Sequence, residues 1–333
     1  MASSSPQILL TGATGYIGGT VLTHLINSSS PAIKNATITF HQVVYEGLDD
    51  LEATASTAAQ LDLVINATLG YHLASAQALL RGLARRKKAT GRDVWMIHTS
   101  GVSNLGDQPI SGAFSETREC DDAKDDIYAY EQHREALPPY PQRSTELGVT
   151  NAGLEWGVTT LVIMSPTIYG VRSGLFNTAS IQIPTYIRSA LNHGCATVVG
   201  EGKGVWDRVH VQDLADLYEI VAARILERGG EGVPTGKRGI IFSGNGRHSW
   251  ADIAQSVAGL QSNQVDSINL AQAVKIIASY LDRVDESMVE VGLSSNSRTV
   301  SSVARTLGRK PTRGEKAWNR GFHDDLKAVL KKQ

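Results

Sequence analysis

Short apolar runs alternate with amphipathic stretches along most of the chain. Runs that are apolar at nearly every position predict buried strands, and they occupy 7–12, 61–68, 93–101, 159–170 and 238–244. Stretches with apolar residues every three or four positions predict helices, and they occupy 16–27, 72–88, 141–153 and 211–228. This alternation is typical of an α/β protein with a doubly wound parallel sheet that helices cover on both sides.

The rest of the chain is less regular. A polar loop is predicted from the end of the third strand to about residue 138, and the pattern becomes irregular again from about 173. The final third is mostly helical and ends in a turn and a helix that Gly308 and Pro311 stop. With 333 residues and 41% hydrophobic content, the chain is long enough for one large domain or two modest ones.

Glycines recur at three-residue spacing directly after the first predicted strand. The stretch TGATGYIGG places Gly12, Gly15 and Gly18 at the start of the predicted helix 16–27. Glycines allow a tight turn there, and the exposed N–H groups at a helix N-terminus offer a site for a pyrophosphate. The alternative is that these glycines only allow the helix to pack closely on the strand.

Charge and cysteine content limit the classes of partner. The net charge is −1 and the pI about 6.8, so no overall field attracts nucleic acid or acidic membranes. The basic cluster RGLARRKK at 81–88 is interpreted as the solvated end of a helix. Cys120 and Cys195 lie far apart in the sequence and are expected to be free thiols in a reducing compartment.

The sequence shows no signal for export or membrane insertion. The first seven residues are polar, and the apolar run after them is too short for a secretory signal. No stretch approaches the roughly 20 apolar residues of a membrane span. We therefore expect a cytoplasmic protein that binds a small-molecule substrate, with no metal and no nucleic-acid or membrane partner. A homodimer is left open.

Five motifs resemble those of a known family. LLTGATGYIGG, VINAT, IHTSG, SPTIYG and WDRVHVQDLADLY occur in the order and spacing of the extended short-chain dehydrogenases/reductases, which include nucleotide-sugar epimerases and dihydroflavonol reductases. The resemblance covers nearly the whole chain. It implies a Rossmann domain, residues 1–172 plus about 206–245, and a smaller, mostly helical substrate domain, about 173–205 and 246–333. It also implies NADP or NAD as the cofactor, with NADP slightly favoured.

The same resemblance implies roles for individual residues. Those expected to line the dinucleotide are Gly12, Ala13, Thr14, Gly15, Tyr16, Ile17 and Gly18. Those expected beside its ribose and phosphate are Ala67 and Thr68, and those expected at the nicotinamide amide are Pro166, Thr167 and Ile168. Those expected to face the substrate are Tyr169, Arg208 and His210. The alternative for His210 is that it caps the following helix together with Asp213.

The proton relay of the family is only partly present. The family uses a Ser or Thr to polarise the carbonyl group and a Tyr whose proton moves as the hydride moves. A Lys four residues after the Tyr lowers the pKa of its phenol. Tyr140 lies at the expected place before a predicted helix, but the residue four positions later is Ser144, and the nearest cation is Arg143.

Hydroxyl groups are available in the loop after the third strand, at Thr99, Ser100 and Ser103. We therefore predict an atypical relay built from Thr99 or Ser100, Tyr140 and Arg143. The alternative for Tyr140 is a role in packing or in the wall of a substrate site.

The adenosine half of the predicted site also departs from the pattern. A Rossmann second strand normally carries an Asp, Glu or Arg roughly 20 residues after the glycine motif, and the stretch NATITFHQ contains none. Residues 37–47, TITFHQVVYEG, are predicted to form one extended segment with a bulge near His41 and Gln42, because no turn residue interrupts 37–45. A crossover needs at least about ten further residues. The second crossover helix is therefore expected to be missing.

Three functions are consistent with these patterns. The leading one is an NAD(P)-dependent reductase or dehydrogenase of a small carbonyl or alcohol. The second is a non-redox isomerase, cyclase or dehydratase on the same fold, which the missing Lys and the shortened adenosine site favour. The third is a nucleotide-sensing protein without catalysis.

Overall fold

The computed structural model of the protein describes residues 7–35, 47–177, 179–261, 264–278 and 284–331. Its strands are β1 Ile8–Thr11, β2 Leu63–Asn66, β3 Trp95–Gly101, β4 Glu119–Asp121, β5 Thr159–Ser165, β6 Thr167–Tyr169, β7 Ala196–Val199, β8 Val205–His210, β9 Ile240–Phe242, β10 Arg247–Ser249, β11 Val265–Ile268 and β12 Arg298–Val300. Its helices are α1 Tyr16–Ile26, α2 Pro31–Asn35, α3 Leu51–Ala58, α4 Leu73–Thr90, α5 Ile127–Glu135, α6 Pro141–Trp156, α7 Gln182–His193, α8 Val211–Arg228, α9 Trp250–Gln261, α10 Leu270–Ile277, α11 Glu286–Leu293, α12 Ser302–Thr306 and α13 Glu315–Leu330. Short 3₁₀ helices cover Val102–Leu105 and Gly236–Arg238.

The main sheet is parallel and has five described strands in the order β1-β2-β3-β5-β9. Its strands are short and apolar; β2 and β9, for example, are buried at every position. Such strands need cover on both faces, because they carry apolar side chains on both. The prediction of a doubly wound parallel α/β sheet is confirmed.

Helices cover both faces of this sheet. On one face Val21 of α1 and Leu217 and Val221 of α8 pack with strand residues in one buried cluster. On the other face Leu80 of α4 and Val149 of α6 pack in a second cluster. The amphipathic stretches predicted as helices at 16–27, 72–88, 141–153 and 211–228 therefore supply both layers.

The run 159–170 was predicted as one strand, but the structure divides it at Pro166. β5 lies in the main sheet, whereas β6 pairs in parallel with β8 in a separate sheet ordered β10-β8-β6. Proline has no N–H to donate to a strand ladder, so the chain leaves one sheet and enters the other at this residue. Predicting a single strand here was wrong.

The segment predicted as a polar loop up to about 138 contains β4 and α5. Ile127 and Tyr128 of α5 are buried, and so are Glu131 and Arg134 on the same helix. Charged residues that point inward hide the amphipathic pattern by which a helix is normally recognised. The prediction of a loop was therefore wrong for 127–135.

The predicted extended segment 37–46 lies outside the described residues, so its conformation and the missing crossover helix stay predictions. Within the described part of the chain, β1 is the edge strand of the main sheet and pairs only with β2. The helix α3 comes between that segment and β2. The adenosine half of a Rossmann site would lie at this edge.

The loop after β3 is held by the C-terminal part of the chain. β4 pairs in parallel with β12. The Ser297 hydroxyl donates to the Val102 carbonyl oxygen at 2.7 Å, and the Asn296 N–H donates to the Asp107 carboxylate at 2.7 Å. Residues almost 200 positions apart in sequence thus fix the segment that follows Gly101.

The described helices include none that is long and apolar enough to cross a membrane. The boundaries of the two predicted domains stay predictions.

Candidate active site

The glycine turn joins β1 to α1, and two of its glycines are required by packing. Gly12 has φ +69°, and a Cβ on it would lie 2.3 Å from the Ala67 carbonyl oxygen. A Cβ on Gly18 would lie 2.2 Å from the Gly12 carbonyl oxygen. Gly15 differs, because a Cβ there would approach only the Gly12 oxygen, at 3.0 Å. Close packing therefore accounts for Gly12 and Gly18, whereas the space beside Gly15 is left open.

Gly15 is the N-cap residue of α1. Its N–H donates to the Gly12 carbonyl at 2.8 Å, and no side chain caps the helix. The first turn of α1 also contains no acidic residue. A helix N-terminus without a cap or a carboxylate keeps free N–H groups and a positive partial charge, which is the arrangement that favours an anion. The residues predicted to line a dinucleotide, 12–18, fit its diphosphate.

Asn66 connects the carboxyl ends of β1, β2 and β3. Its Oδ1 accepts from the hydroxyls of Thr11 at 2.7 Å and Thr68 at 2.6 Å, and its amide contacts His98 Nδ1 at 3.1 Å. Burial lowers the pKa of His98 to about 4, so this imidazole is neutral at physiological pH. The network fixes Ala67 and Thr68 beside Gly12.

Sequence reasoning did not single out Asn66 or His98. A signal for both was present in the sequence. Asn66 is a polar residue at the end of one apolar strand and His98 is a polar residue inside the next, and buried polar groups need partners.

The hydroxyl groups after β3 point in different directions. Thr99 Oγ1 meets the Tyr218 hydroxyl at 2.6 Å, inside the layer formed by α8. Ser100 faces the opposite side, where its Oγ accepts from the Asn104 amide at 3.3 Å. Ser103 Oγ donates to Gln142 Oε1 and lies close enough to the Tyr140 phenol to lower its pKa. Of the three predicted hydroxyls, Ser103 is the one that the fold brings to Tyr140.

Tyr140 is the N-cap residue of α6 and is largely buried. Burial raises the pKa of its phenol, while the nearby Ser103 hydroxyl and the charge of Arg143 lower it. At the position where the family has Lys, the Ser144 hydroxyl donates to the Tyr140 carbonyl at 3.1 Å and to the Glu135 carboxylate. This position provides no cation.

Arg143 lies next to Tyr140 but its guanidinium is occupied by other partners. Its Nε donates to Glu135 at 2.8 Å. Its Nη1 donates to the Asn104 carbonyl at 3.0 Å, and Nη2 donates to the carbonyls of Arg134 and Pro138. The side chain is 3% exposed, and its central carbon lies 5.9 Å from the Tyr140 ring centroid. Arg143 thus holds the loop and α5 together and gives Tyr140 only a nearby charge.

The segment predicted to meet the nicotinamide lies where the main sheet passes into the second sheet. Thr167 is fully buried, with its hydroxyl 3.5 Å from His248 Nε2. Ile168 packs against the core cluster that includes α1 and α8. The Tyr16 hydroxyl donates to the Gly170 carbonyl at 2.5 Å. The structure therefore brings the glycine turn and the end of β6 together, as a dinucleotide site requires.

Two of the residues predicted to face a substrate have packing roles. The Tyr169 ring meets His210 and Trp318 edge-on, at centroid distances of 5.2 and 4.8 Å. His210 Nδ1 accepts from the Gln212 N–H, so His210 is the N-cap of α8, and burial lowers its pKa to about 4. The contacts of His210 are those of a helix cap, which is the alternative role predicted for it.

Arg208 borders an open polar cavity of about 460 Å³. Its guanidinium stacks on Trp318 at 4.4 Å, donates to the Arg247 carbonyl and pairs with Glu315. The other residues that line this cavity are Arg247, Asp252, Gln255, Ser256 and Asn319. Arg208 can meet a polar molecule there, which keeps the prediction of a substrate contact open.

Away from this edge, His24, Asp216 and Glu219 place three potential ligand atoms within 4.8 Å of one another. His24 is held by hydrogen bonds with Asp216 and Gln212, which raise its pKa. The expectation that the protein uses no metal stays a prediction.

Comparisons with known proteins agree with this geometry. Residues 119–232 match the family model described as the NAD dependent epimerase/dehydratase family. A sequence relative, Oxidase ucsJ from an Acremonium species, is 29% identical over 300 residues, which cover 81% of this chain and 85% of the relative.

Solved structures resemble nearly the whole chain. UDP-glucuronic acid 4-epimerase from Bacillus cereus, in complex with UDP-glucuronic acid and NAD, superposes with a TM-score of 0.62 at 16% identity and covers 98% of this chain and 99% of that one. UDP-glucose 4-epimerase from Thermus thermophilus, in complex with NAD, gives 0.60 at 15% identity over 96% and 98%. The dTDP-glucose 4,6-dehydratase DesIV from Streptomyces venezuelae, with NAD and TYD bound, gives 0.62 at 14% identity over 95% of each. At these identities the likeness concerns the fold.

The resemblance inferred from the five motifs is confirmed. The chain is an enzyme with the extended short-chain dehydrogenase/reductase fold, and over residues 119–232 it carries the pattern of the NAD dependent epimerase/dehydratase family.

Proposed function

We propose that the protein is an NAD(P)-dependent oxidoreductase that reduces a carbonyl group, or oxidises an alcohol, of a small molecule. The observation that carries this proposal is the position of the Ser103 hydroxyl close to the Tyr140 phenol, whose pKa it lowers, at the edge of the sheet where the glycine turn also lies. A phenol and a hydroxyl that meet beside a dinucleotide site can bind one substrate oxygen between them. The name of the Acremonium relative, an oxidase, and the NAD in the solved neighbours support the same class.

The proposal gives a role to each residue predicted to take part in the proton relay. The dinucleotide, when bound, supplies or accepts the hydride. In the substrate complex the Ser103 hydroxyl turns from Gln142 to donate to the substrate oxygen, and Tyr140 gives that oxygen a proton during reduction or takes the proton during oxidation. Arg143 does not touch the substrate; its guanidinium fixes the segment that carries Ser103 through the Asn104 carbonyl. Thr99 and Ser100 support the strand from opposite faces.

A non-redox reaction on the same fold is the second candidate. It is favoured by Ser144, which stands at the position where the family has Lys. A phenol beside Ser144 lacks the fixed ammonium that would make it a base at neutral pH. An isomerase or dehydratase that relies on a protonated Tyr140 would tolerate this position.

Titration of the purified protein with NADH and with NADPH, followed by nucleotide fluorescence, separates these candidates. We expect saturable binding. We also expect a change in absorbance at 340 nm when small aldehydes, ketones and alcohols are supplied as substrates. Binding without net oxidation or reduction would favour the non-redox candidate or a nucleotide sensor. No binding of either dinucleotide would overturn the proposal.

A further inference from the structure

Residues 170–177, which we call the strap, lie across the glycine turn. At one end the Tyr16 hydroxyl of α1 donates to the Gly170 carbonyl, and at the other the Asn177 N–H donates to the Thr14 carbonyl at 3.2 Å. The strap therefore covers the part of the molecule where the N-terminus of α1 lies.

Arg172 is the charged residue of the strap, and its side chain points inward. The residue is 6% exposed. Its Nε, Nη1 and Nη2 are all shielded from solvent, and no atom of the described residues accepts a hydrogen bond from them. Burial lowers the pKa of this guanidinium. A buried cation without an acceptor is costly, and such groups in native proteins usually have a partner that completes the site.

The environment of Arg172 makes an anion the partner that fits. Its Nη1 lies 3.1 Å from the point that a Cβ on Gly19 would occupy, in the first turns of α1, and 2.8 Å from the corresponding point on Gly174. Two glycines thus leave the room that the guanidinium uses. The N-terminus of α1 has a positive partial charge and no acidic residue in its first turn. The guanidinium therefore packs against the first turn of the helix whose N-terminus carries the second positive charge, and an anion that reaches both would neutralise both.

We propose that Arg172 and the N-terminus of α1 together bind a phosphate group, with the strap closing over it. The planar guanidinium donates to the phosphate oxygens from one side and the helix N–H groups donate from the other. That this phosphate belongs to a dinucleotide rests on the proposed function; another phosphorylated molecule would supply the same chemistry. Because the guanidinium nitrogens are shielded, the strap has to shift to admit the anion.

The test measures binding of NADH, inorganic pyrophosphate and adenosine to the full chain and to the variants Arg172→Met, Arg172→Lys and Arg320→Met. The last is a control, because Arg320 is an exposed arginine on α13. Arg172→Met is expected to weaken NADH and pyrophosphate about 10- to 100-fold, the range for lost hydrogen bonds to a charged group, and to leave weak adenosine binding unchanged. The affinity of Arg172→Lys for NADH and pyrophosphate is expected to lie between those of the parent and Arg172→Met, since lysine keeps the charge but lacks the planar guanidinium.

Two readouts show that a weakened variant is folded and that the strap takes part. Without ligand, Arg172→Met is expected to melt about 2–4 °C higher than the parent, because an unpaired buried charge has been removed. In the parent, pyrophosphate is expected to slow amide hydrogen exchange in residues 170–177 relative to the ligand-free protein.

The outcomes separate this inference from the proposed function. If the parent binds NADH and Arg172→Met binds it equally well, the phosphate site at Arg172 is refuted while the oxidoreductase proposal stands. If the parent binds pyrophosphate in an Arg172-dependent way but does not bind NADH or NADPH, the site stands and the oxidoreductase proposal fails. If neither pyrophosphate nor a dinucleotide binds, both are refuted.

Discussion

The side chains of Glu131 and Glu146 form a carboxyl pair in the interior between α5 and α6. Both residues are fully buried and interact with each other, and both oxygens of Glu131 and Oε1 of Glu146 have no hydrogen-bond donor among the described residues. The Asn104 amide donates to Glu146 at 2.8 Å, and Ser100 and the charge of Arg143 face the same pair. Burial raises the pKa of Glu146 to about 7, and burial with the neighbouring carboxylate raises that of Glu131 well above its usual range. Such a pair keeps a proton that an exposed pair would lose.

This proton makes stability depend on pH in a predictable direction. In the unfolded chain both carboxyls have pKa values near 4.3, so above about pH 5 the folded state binds more protons than the unfolded one, and the free energy of unfolding falls as pH rises. Glu131→Gln keeps an amide N–H that can donate to Glu146, but it removes one titratable carboxyl group. It is expected to reduce this fall between pH 5 and 8, by up to about 1.4 kcal/mol per pH unit.

Urea denaturation at four pH values measures this slope. Glu155→Gln is the control, because Glu155 lies on α6, the helix that carries Glu146, but is exposed. Equal slopes for the parent and Glu131→Gln would show that the pair does not hold its proton.

Tyr140→Phe is expected to lower kcat by about 10²- to 10⁴-fold, the span for loss of a general acid, with dinucleotide binding retained. Ser103→Ala is expected to lower kcat as well, because Ser103 is the hydroxyl next to Tyr140. Tyr71→Phe, at an exposed tyrosine, is the control in the same steady-state assay. An unchanged kcat for Tyr140→Phe would remove this phenol from the mechanism.

Arg143→Lys is expected to destabilise the fold by about 2 kcal/mol or more, since one ammonium cannot reach the four acceptors that the guanidinium contacts. Chemical denaturation measures the loss. Activity is expected to fall together with stability, because the segment carrying Ser103 loses its support. Full activity in a destabilised variant would contradict the positioning role.

Gly15→Val is expected to abolish dinucleotide binding in a protein that remains folded. Gly15 has φ −78°, which any residue adopts, so the side chain would enter the open space that a diphosphate needs. Gly18→Val is the contrast, because its side chain would collide with the Gly12 backbone and unfold the turn. Circular dichroism and NADH titration on both variants distinguish the two cases. Undiminished binding by Gly15→Val would assign all three glycines to packing.

Discrimination between NAD and NADP is expected to be modest, since the stretch 35–42 offers neither an acidic side chain nor an arginine to the adenine ribose. Parallel titrations with NADH and NADPH give the ratio of the two dissociation constants. A preference of several hundredfold, equivalent to about 3.4 kcal/mol, would require a specific partner and would contradict this prediction.

The parallel sheet could be predicted from the sequence because its strands carry the signal themselves. A strand such as 63–66 is apolar at three of four positions, and only a sheet buried on both faces accepts such a run. The glycine turn was equally visible, since Gly12 has a positive φ and Gly18 packs on the Gly12 backbone within the same turn.

The arrangement of the site depends on contacts that no local pattern encodes. The choice among Thr99, Ser100 and Ser103 is decided by which layer each side chain meets, and Tyr218 of α8 takes Thr99 away from Tyr140. Glu131 was read as part of a polar loop, because a buried charge and an exposed charge look the same in sequence. The contacts of Arg172 and Arg143 depend on tertiary packing for the same reason.

The pairing of β4 with β12 has a consequence for protein synthesis. The segment after Gly101 is held by Asn296, Ser297 and the strand Arg298–Val300, which the ribosome adds nearly two hundred residues later. A nascent chain can form the strands and glycine turn of its N-terminal part, but Val102 and Asp107, on either side of Ser103, lack these partners until roughly the last tenth of the protein is made. If the proposed active site is correct, it is therefore complete only late in translation, and a product truncated before residue 296 is expected to lack activity.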